Sequence, residues 1–270
     1  MNETKTILIG YEQAPFLQIR QTLQSERAYE AHAHSALSIG FMLEGKTCFQ
    51  TPEGEFLLEH GALAIIPPHI QHACNPIAQT KRSYIMVYLD ADFCTRIQAK
   101  QFQETTTLLP LTTPLVFHKA LFEEFERIIT ALIEGFSPLH VKALEAWVES
   151  FFWLYTKQGV SQHKDNTLQD MAHFLESRLD ETPSLCELSK RFGLNPYVLT
   201  RHFKQTYGCT PKHYAMDVRI EHAKQLLHDG TPLALCAQYC GFVDQSHFHR
   251  FFKRRTALTP KEYQANFIQS

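Results

Sequence analysis

An excess of charge of either sign is what this chain most plainly lacks. Lys+Arg number 26 and Asp+Glu 28, a formal net charge of −2. That excludes a uniformly basic nucleic-acid coat, although an average can hide a split. Glycine and proline are also sparse, 11 and 13 of 270 residues, while hydrophobic residues make up 44%. Collagen-like, disordered and low-complexity classes are thereby excluded. No apolar run approaches the ~18 residues that a membrane helix needs. The start, Met1-Asn2-Glu3-Thr4-Lys5-Thr6, lacks the charged-then-apolar pattern of an export signal. Cysteines are scattered and odd in number: Cys48, Cys74, Cys94, Cys186, Cys209, Cys236 and Cys240. With no export pattern, reduced thiols in a cytoplasm are expected. Neither a Gly-x-Ser-x-Gly elbow nor a phosphate loop occurs.

What is present changes character along the chain. The length fits about two domains with sizeable cores. Residues 1–117 read as short strands, such as Leu37–Leu43, Thr47–Thr51 and Tyr84–Leu89, separated by Gly and Pro signals. Such spacing predicts a sandwich or small barrel. Over 118–160 the period becomes helical. Leu121, Phe125, Ile128, Ile129, Leu132 and Ile133 form one apolar stripe. Val141, Leu144, Trp147, Val148, Phe151 and Tyr155 form another, after a Gly135-Phe136-Ser137-Pro138 break. Gly159 to Asn166 is polar and unpatterned and reads as a linker. Residues 166–270 read as short helices throughout.

The C-terminal third repeats itself. Arg201-His202-Phe203-Lys204 and Gly208-Cys209-Thr210-Pro211-Lys212-His213-Tyr214 recur 49 residues later as Arg250-Phe251-Phe252-Lys253 and Ala257-Leu258-Thr259-Pro260-Lys261-Glu262-Tyr263. Gly193 and Gly241 mark a tight turn upstream in each copy. Ser184-Leu185-Cys186-Glu187 reads as a capping box. Asn195-Pro196 sets an N-cap before an N1 proline. Thr231-Pro232 and Asp244 take these parts in the second copy. Thr210-Pro211 opens a helix of roughly 19 residues between the copies, about 29 Å at ~1.5 Å per residue. Each copy is thus a helix, a Gly-containing turn and a helix.

The second helix of each unit has a greasy face, Leu199 and Phe203 or Phe248 and Phe252. Opposite stand Tyr197, Thr200, Arg201 and Lys204 in the first copy, and Gln245, Ser246, His249, Arg250 and Lys253 in the second. His247 is counted with these DNA-binding candidates. Arg suits guanine, Gln adenine and Lys the phosphates. Any amphipathic helix exposes such residues, but two capped copies with matching faces favour DNA reading. The ~29 Å separation is close to the ~34 Å turn of B-DNA. Residues 184–270 hold 12 Lys+Arg against 6 Asp+Glu, and residues 1–183 hold 14 against 22. The near-neutral total therefore hides a basic C-terminal end.

Residues 166–265 resemble the DNA-binding domain of AraC/XylS-family transcription regulators. The second unit carries most of the signature, Cys240-Gly241-Phe242-Val243-Asp244-Gln245-Ser246-His247-Phe248-His249-Arg250-Phe251-Phe252-Lys253 and then Thr259-Pro260-x-x-Tyr263. Ala257 stands where that family usually has glycine, and Gln264 where it often has arginine. A left-handed backbone at Ala257 would cost about 1 kcal/mol.

In the N-terminal half, His32 and His34 lie two apart and would share one face of a strand. With Gly61-Ala62-Leu63-Ala64-Ile65-Ile66-Pro67-Pro68-His69-Ile70-Gln71-His72 they resemble the two motifs of cupin barrels. The resemblance implies an effector site at His32, His34, His72 and Cys74. Metal-binding cupins add a Glu four or five positions after the second His, where this chain has Ser38 and Ile39. His32, His34 and His72 can still form a three-His site for a divalent ion such as zinc, with Cys74 as a soft fourth ligand. The alternatives are that these histidines bind polar groups of an effector, or simply hydrogen-bond inside the barrel. His69 is expected in the exposed turn. Cys236 and Cys240 read as small core residues, as do Cys186 and Cys209.

The expectation is an α+β multidomain protein. A cupin-like effector-binding β-barrel (1–117) leads through linking or dimerisation α-helices (118–160) to an all-α double helix-turn-helix domain (166–270). Promoter DNA and a small-molecule or metal effector are the expected partners, with RNA polymerase as a further one. The apolar faces of the two linking helices either cover the barrel or, as in similar regulators, provide a homodimer contact. Leu121, Phe125, Ile128, Leu132, Leu144, Trp147, Val148 and Phe151 are the first candidates for it. A homodimer and no membrane partner are expected. The alternative is a cupin-type metal-dependent dioxygenase or isomerase with an attached helical domain.

Overall fold

A computed structural model describes residues 4–102, 107–157, 167–179 and 181–269. The linker expected over 159–166 lies outside them. Nine strands form in the N-terminal half: β1 (Lys5–Gly10), β2 (Leu17–Ser25), β3 (Leu37–Glu44), β4 (Thr47–Thr51), β5 (Gly54–Leu58), β6 (Leu63–Ile66), β7 (Ala73–Pro76), β8 (Arg82–Leu89) and β9 (Leu115–Val116). A tenth, β10 (Phe267–Gln269), comes from the far end of the chain. One sheet has the order β10-β1-β2-β8-β3-β6-β9 and the other β5-β4-β7. Met42, Phe49, Leu58, Ala62, Ala64, Ile66 and Tyr84 form an apolar cluster in this half.

The larger core joins this sheet to three helices. α1 (Ala91–Phe102), α2 (Lys119–Glu134) and α3 (Pro138–Tyr155) bury Phe93, Ile97, Phe125, Ile128, Trp147 and Phe151 with Ile19, Ile39 and Val87. The strand-rich reading of 1–117 missed α1. Its signal is local: Asp90 Oδ1 accepts from Phe93 N at 2.9 Å, and Phe93, Cys94 and Ile97 follow helical spacing. The residues expected to make a dimer contact are instead buried within the chain, from Leu121 at 6% exposure to Phe125 and Phe151 at 0%. Trp147 Nε1 donates to the Leu121 carbonyl at 2.9 Å, tying α3 to α2.

Seven helices follow: α4 (Thr167–Glu176), α5 (Leu185–Phe192), α6 (Pro196–Tyr207), α7 (Pro211–His228), α8 (Leu233–Tyr239), α9 (Gln245–Thr256) and α10 (Pro260–Ala265). Caps explain most of the boundaries. Asn195, Thr210 and Asp244 accept from backbone N–H groups of α6, α7 and α9. Two expected caps differ. Ser184 accepts from Glu187 N at 3.1 Å, but the Glu187 carboxylate turns to Arg178, so the box is half formed. Thr231 caps nothing: α8 starts after Pro232 with no side-chain cap. The completed capping box is Thr259 with Glu262, opening α10.

The two helix-turn-helix units keep separate cores. Met171, Leu175, Leu188, Leu199, Phe203 and Tyr214 fill the first. Ile220, Ala223, Cys236, Phe248, Phe252 and Tyr263 fill the second, together with Leu8 from β1. Cys209, Cys236 and Cys240 are buried as expected, whereas Cys186 is exposed. β10 pairs in parallel with β1, Leu8 opposite Phe267. An all-helical reading of 166–270 misses this strand, which is too short for a periodic signal. Among the described residues no helix is long and apolar enough to cross a membrane.

Candidate nucleic-acid interface and effector site

The repeat positions its polar faces on α6 and α9. Tyr197, Arg201 and Lys204 are exposed on α6, above buried Leu199 and Phe203. Thr200 is half-buried and its hydroxyl donates to the Pro196 carbonyl at 2.8 Å. On α9, Gln245, Ser246, His249, Arg250 and Lys253 are exposed above buried Phe248 and Phe252. His247 is placed differently. It is half-buried, with its ring 5.5 Å from Phe242 and 5.0 Å from Phe251, so packing claims it. Gln205 is exposed too and was missed; it lies four residues after Arg201 on the same face, and that spacing was the available signal. Arg254, four after Arg250, is exposed but its guanidinium lies 3.5 Å from Glu30. α7, of 18 residues, spans about 27 Å between the units.

Equivalent positions end the two reading helices in the left-handed conformation, Gly208 at φ 78° and Ala257 at φ 57°. Gly208 also meets the sheet-rich half: a Cβ there would lie 2.9 Å from Gln71 Cβ and Pro52 Cγ. Gln264 Nε2 donates to the Leu227 carbonyl at 3.3 Å, a contact within the domain.

The predicted histidines do come together. His32 and His72 exchange backbone hydrogen bonds of 3.0 and 2.9 Å as an isolated bridge rather than within a strand. Ring centroids are 4.5 Å apart for His32–His72, 4.8 Å for His34–His72 and 6.2 Å for His32–His34. Each Nδ1 lies 3.0 Å from a carbonyl, that of Glu30, Ala36 or Ile70. A neutral ring can donate there from Nδ1, leaving Nε2 as acceptor. The Ser38 hydroxyl stands 3.2 Å from His34 Nε2. Burial pushes His72 down to about 4, and burial with the His72 neighbour holds His32 and His34 well below the usual histidine value. Burial raises the Cys74 thiol to about 12, so no thiolate is ready there at neutral pH. Among the described residues no group of three or more His, Cys, Asp or Glu is arranged to hold a metal ion.

His32, His72 and Cys74 instead line one cavity of about 50 Å³ with Arg20, Tyr29, Phe41, Met42, Thr47, Leu58, Arg82, Tyr84, Met86 and Tyr88. That is room for a few water-sized groups. His34 lines a separate cleft, between the two halves, with His69, Asp90, Glu176, Asp217 and Glu221.

The segments bearing the histidines also form the seam to the DNA-reading half. Asp217 of α7 accepts from Ala33 N at 3.0 Å and from Gln71 Nε2 at 2.5 Å. Arg255 Nε lies 2.9 Å from the same carboxylate, and Arg255 also donates to the Ala31 carbonyl. Glu30 N donates to the Arg254 carbonyl at 3.1 Å, and Gln71 N to the Tyr207 carbonyl at 3.3 Å. Burial raises the Asp217 carboxyl to about 7 against the pull of Arg255. His69, expected in an exposed turn, sits in this seam with Nδ1 2.8 Å from the Tyr214 hydroxyl. Its φ of 63° turns the chain toward that contact.

Two family models match this arrangement, a helix-turn-helix domain over residues 188–266 and an AraC-like ligand binding domain over 18–176. The chain is similar to the HTH-type transcriptional regulator YbfI of Bacillus subtilis, 26% identical over 91% of this chain and 90% of that one. It is similar to the probable transcriptional regulator LumQ of Photobacterium leiognathi, 25% identical over 90% of this chain and 94% of that one. The fold is shared with unsaturated fatty acid-bound ToxT of Vibrio cholerae, TM-score 0.64 at 12% identity, covering 98% of this chain and 97% of that one. These relatives are named as regulators, which sets the cupin-type enzyme aside. The chain belongs to the AraC family of transcription regulators, with a ligand-binding half joined to a DNA-binding pair of helix-turn-helix units.

Proposed function

We propose that this regulator works by coupling occupancy of the cavity at His32 and His72 to the freedom of the two reading helices on promoter DNA. One observation carries the reading: residues 30–34 and 69–72 bear the histidines and also hydrogen-bond directly to α7 and to the end of α9. A ligand that moves those segments shifts the balance between arrangements of the two halves. Such couplings are typically about 1–3 kcal/mol. The ToxT structure holds an unsaturated fatty acid, which supports a small molecule in this role. The site of action is the cytoplasm, and RNA polymerase is the partner through which the DNA-bound protein acts.

Arg201 and Arg250 are the base-reading groups on this proposal. Arg201→Ala and Arg250→Ala are each expected to cost about 1–3 kcal/mol on the specific site and to relax preference at one base pair. Unchanged sequence-specific binding by both variants, measured by anisotropy on labelled duplexes, overturns the assignment of these faces.

A homodimer raises operator affinity through effective concentration. Because the inward stripes are consumed by the core, the dimer face is assigned to Leu139, Trp153 and Leu154 of α3, exposed by 75, 60 and 53%. Trp153→Glu should then shift sedimentation toward the monomer. A metal-bound form is the second reading, favoured by the Nδ1 contacts. A backbone carbonyl at Nδ1 is the usual support for an imidazole that ligates through Nε2. Metal analysis of untagged protein tests it: a stoichiometric ion lost on His72→Ala supports it.

A further inference from the structure

Two guanidinium groups lie deep in the sheet-rich half with no carboxylate beside them. Arg20 on β2 is 6% exposed and Arg82 on β8 is 1% exposed. Among the described residues neither forms an ion pair, and every hydrogen-bond acceptor found on them is neutral. Arg20 donates from Nε to the Thr22 hydroxyl at 3.3 Å, from Nη1 to the Thr256 carbonyl at 3.0 Å and from Nη2 to the Tyr29 hydroxyl at 3.0 Å. A guanidinium has five N–H groups, so two on Arg20 remain without a partner among the described residues. Arg82 donates to the Thr47 hydroxyl at 2.9 Å and to the carbonyls of Arg27 and Cys74 at 3.1 and 2.8 Å. Both line the one cavity, and both face the Tyr29 ring, at 5.5 and 5.9 Å.

Buried cations held only by neutral groups leave their charge uncompensated, which is costly in a low dielectric. The neutral imidazoles of His32 and His72 offer no negative charge. The field is strong enough to act on a phenol. Burial works to raise Tyr84, yet Arg20, the Tyr29 and Thr22 hydroxyls and Arg82 together hold it below the usual tyrosine value. Phe41, Met42, Leu58 and Met86 give the cavity an apolar stretch of wall, beside Thr47, Cys74 and Tyr88.

We infer that the cavity takes a small organic carboxylate with an apolar tail, its charge seated between Arg20 and Arg82, and that Arg20 relays its arrival to α9. This rests on the effector reading above and names the class of effector. Planar forks such as Arg recognise carboxylates through paired, charge-assisted bonds. The Phe, Met and Leu stretch suits a hydrocarbon tail, and the volume of about 50 Å³ favours a short one. The relay follows from what Arg20 already holds. Thr256 is the last residue of α9, where helix carbonyls lack intrahelical donors and carry partial negative charge. A carboxylate bonded to the two unpartnered N–H groups pulls on the same guanidinium that holds that carbonyl. Occupancy therefore draws Arg20 into the cavity and loosens its hold on the second helix-turn-helix unit.

The test uses the full chain at constant ionic strength. Straight-chain carboxylates from acetate to octanoate, and benzoate, are titrated calorimetrically beside their uncharged primary amides. The expected result is saturable binding of at least one carboxylate, about tenfold or more tighter than its amide. Arg82→Met should abolish that preference and Arg82→Lys should keep part of it. Should Arg82→Met fail to fold, the wild-type contrast decides alone. Operator affinity is measured in parallel, with and without the bound carboxylate, in wild type and Arg20→Lys. The wild type should respond and Arg20→Lys should respond less. Equal binding of acid and amide, or no carboxylate binding, overturns the ligand class while operator binding stands. A carboxylate that binds but leaves operator affinity equally unmoved in both proteins overturns the relay. Absence of operator binding in every state would instead overturn the regulator reading.

Discussion

At the scale of single residues, Asp217 is the group whose protonation matters most to the seam. It is 4% exposed and bonded to both halves. Burial raises its carboxyl from 3.8 to about 7. The folded protein therefore holds a proton that the unfolded chain releases above about pH 4. Asp217 contributes stability below its unfolded value and loses it as pH rises toward 7. His72 works in the opposite sense. With its folded value near 4, it costs stability as pH falls below the ordinary histidine value of 6.5. Asp217→Asn removes only the first effect. Its denaturation midpoint, relative to wild type, should climb steadily between about pH 4 and 7. A constant difference across that range would remove Asp217 as the titrating group. The three-histidine cluster was legible at this scale from the spacing of His32 and His34 and, for His72, from the resemblance to the cupin motifs. The seam was not. Nothing in the neighbours of Asp217 marks it as the partner of Gln71, which lies 146 positions away.

At the scale of elements, legibility followed local chemistry. The helix-turn-helix units were readable because the repeat, the caps and the glycine turns are all short-range signals. α1 was missed because its stripe is short and follows a run of strands. β10 was missed because three residues carry no period, and only pairing with β1 makes them a strand. The repeat also yields a prediction. Gly208 and Ala257 are equivalent left-handed caps, and only the second carries a Cβ. Ala257→Gly is expected to stabilise the protein by up to about 1 kcal/mol, because relief of the left-handed penalty exceeds the added entropy of the unfolded chain. Urea denaturation reads this directly, and a destabilised variant would show that the buried methyl outweighs the backbone.

At the scale of the whole molecule, the charge split becomes a contact. Arg254 and Arg255 of the basic half lie 3.5 and 3.7 Å from Glu30 of the acidic half. Arg27 runs the other way, to Glu262 at 3.1 Å and to the Ala257 carbonyl at 2.7 Å. The pairs with both partners exposed, Arg254–Glu30 and Arg27–Glu262, contribute little each. The buried group around Asp217 and the β1–β10 pairing are the stronger links. Leu8 is the sharpest case, since it sits on β1 yet fills the core of the second helix-turn-helix unit. Leu8→Ala should cost about 2–5 kcal/mol and lower DNA affinity, although it lies far from any reading face in sequence. Calorimetry showing loss confined to a separate sheet-rich transition would contradict that placement.

Leu8 has a practical consequence for dissecting the protein. A fragment cut at 166 to isolate the DNA-reading half discards a side chain from that half's own core and strips the partner from Phe267. Such a fragment would report a weaker, looser reader than the one that works in the intact chain. The stretch that recognises DNA and the stretch that must be present for it to hold its shape are not the same length of polypeptide.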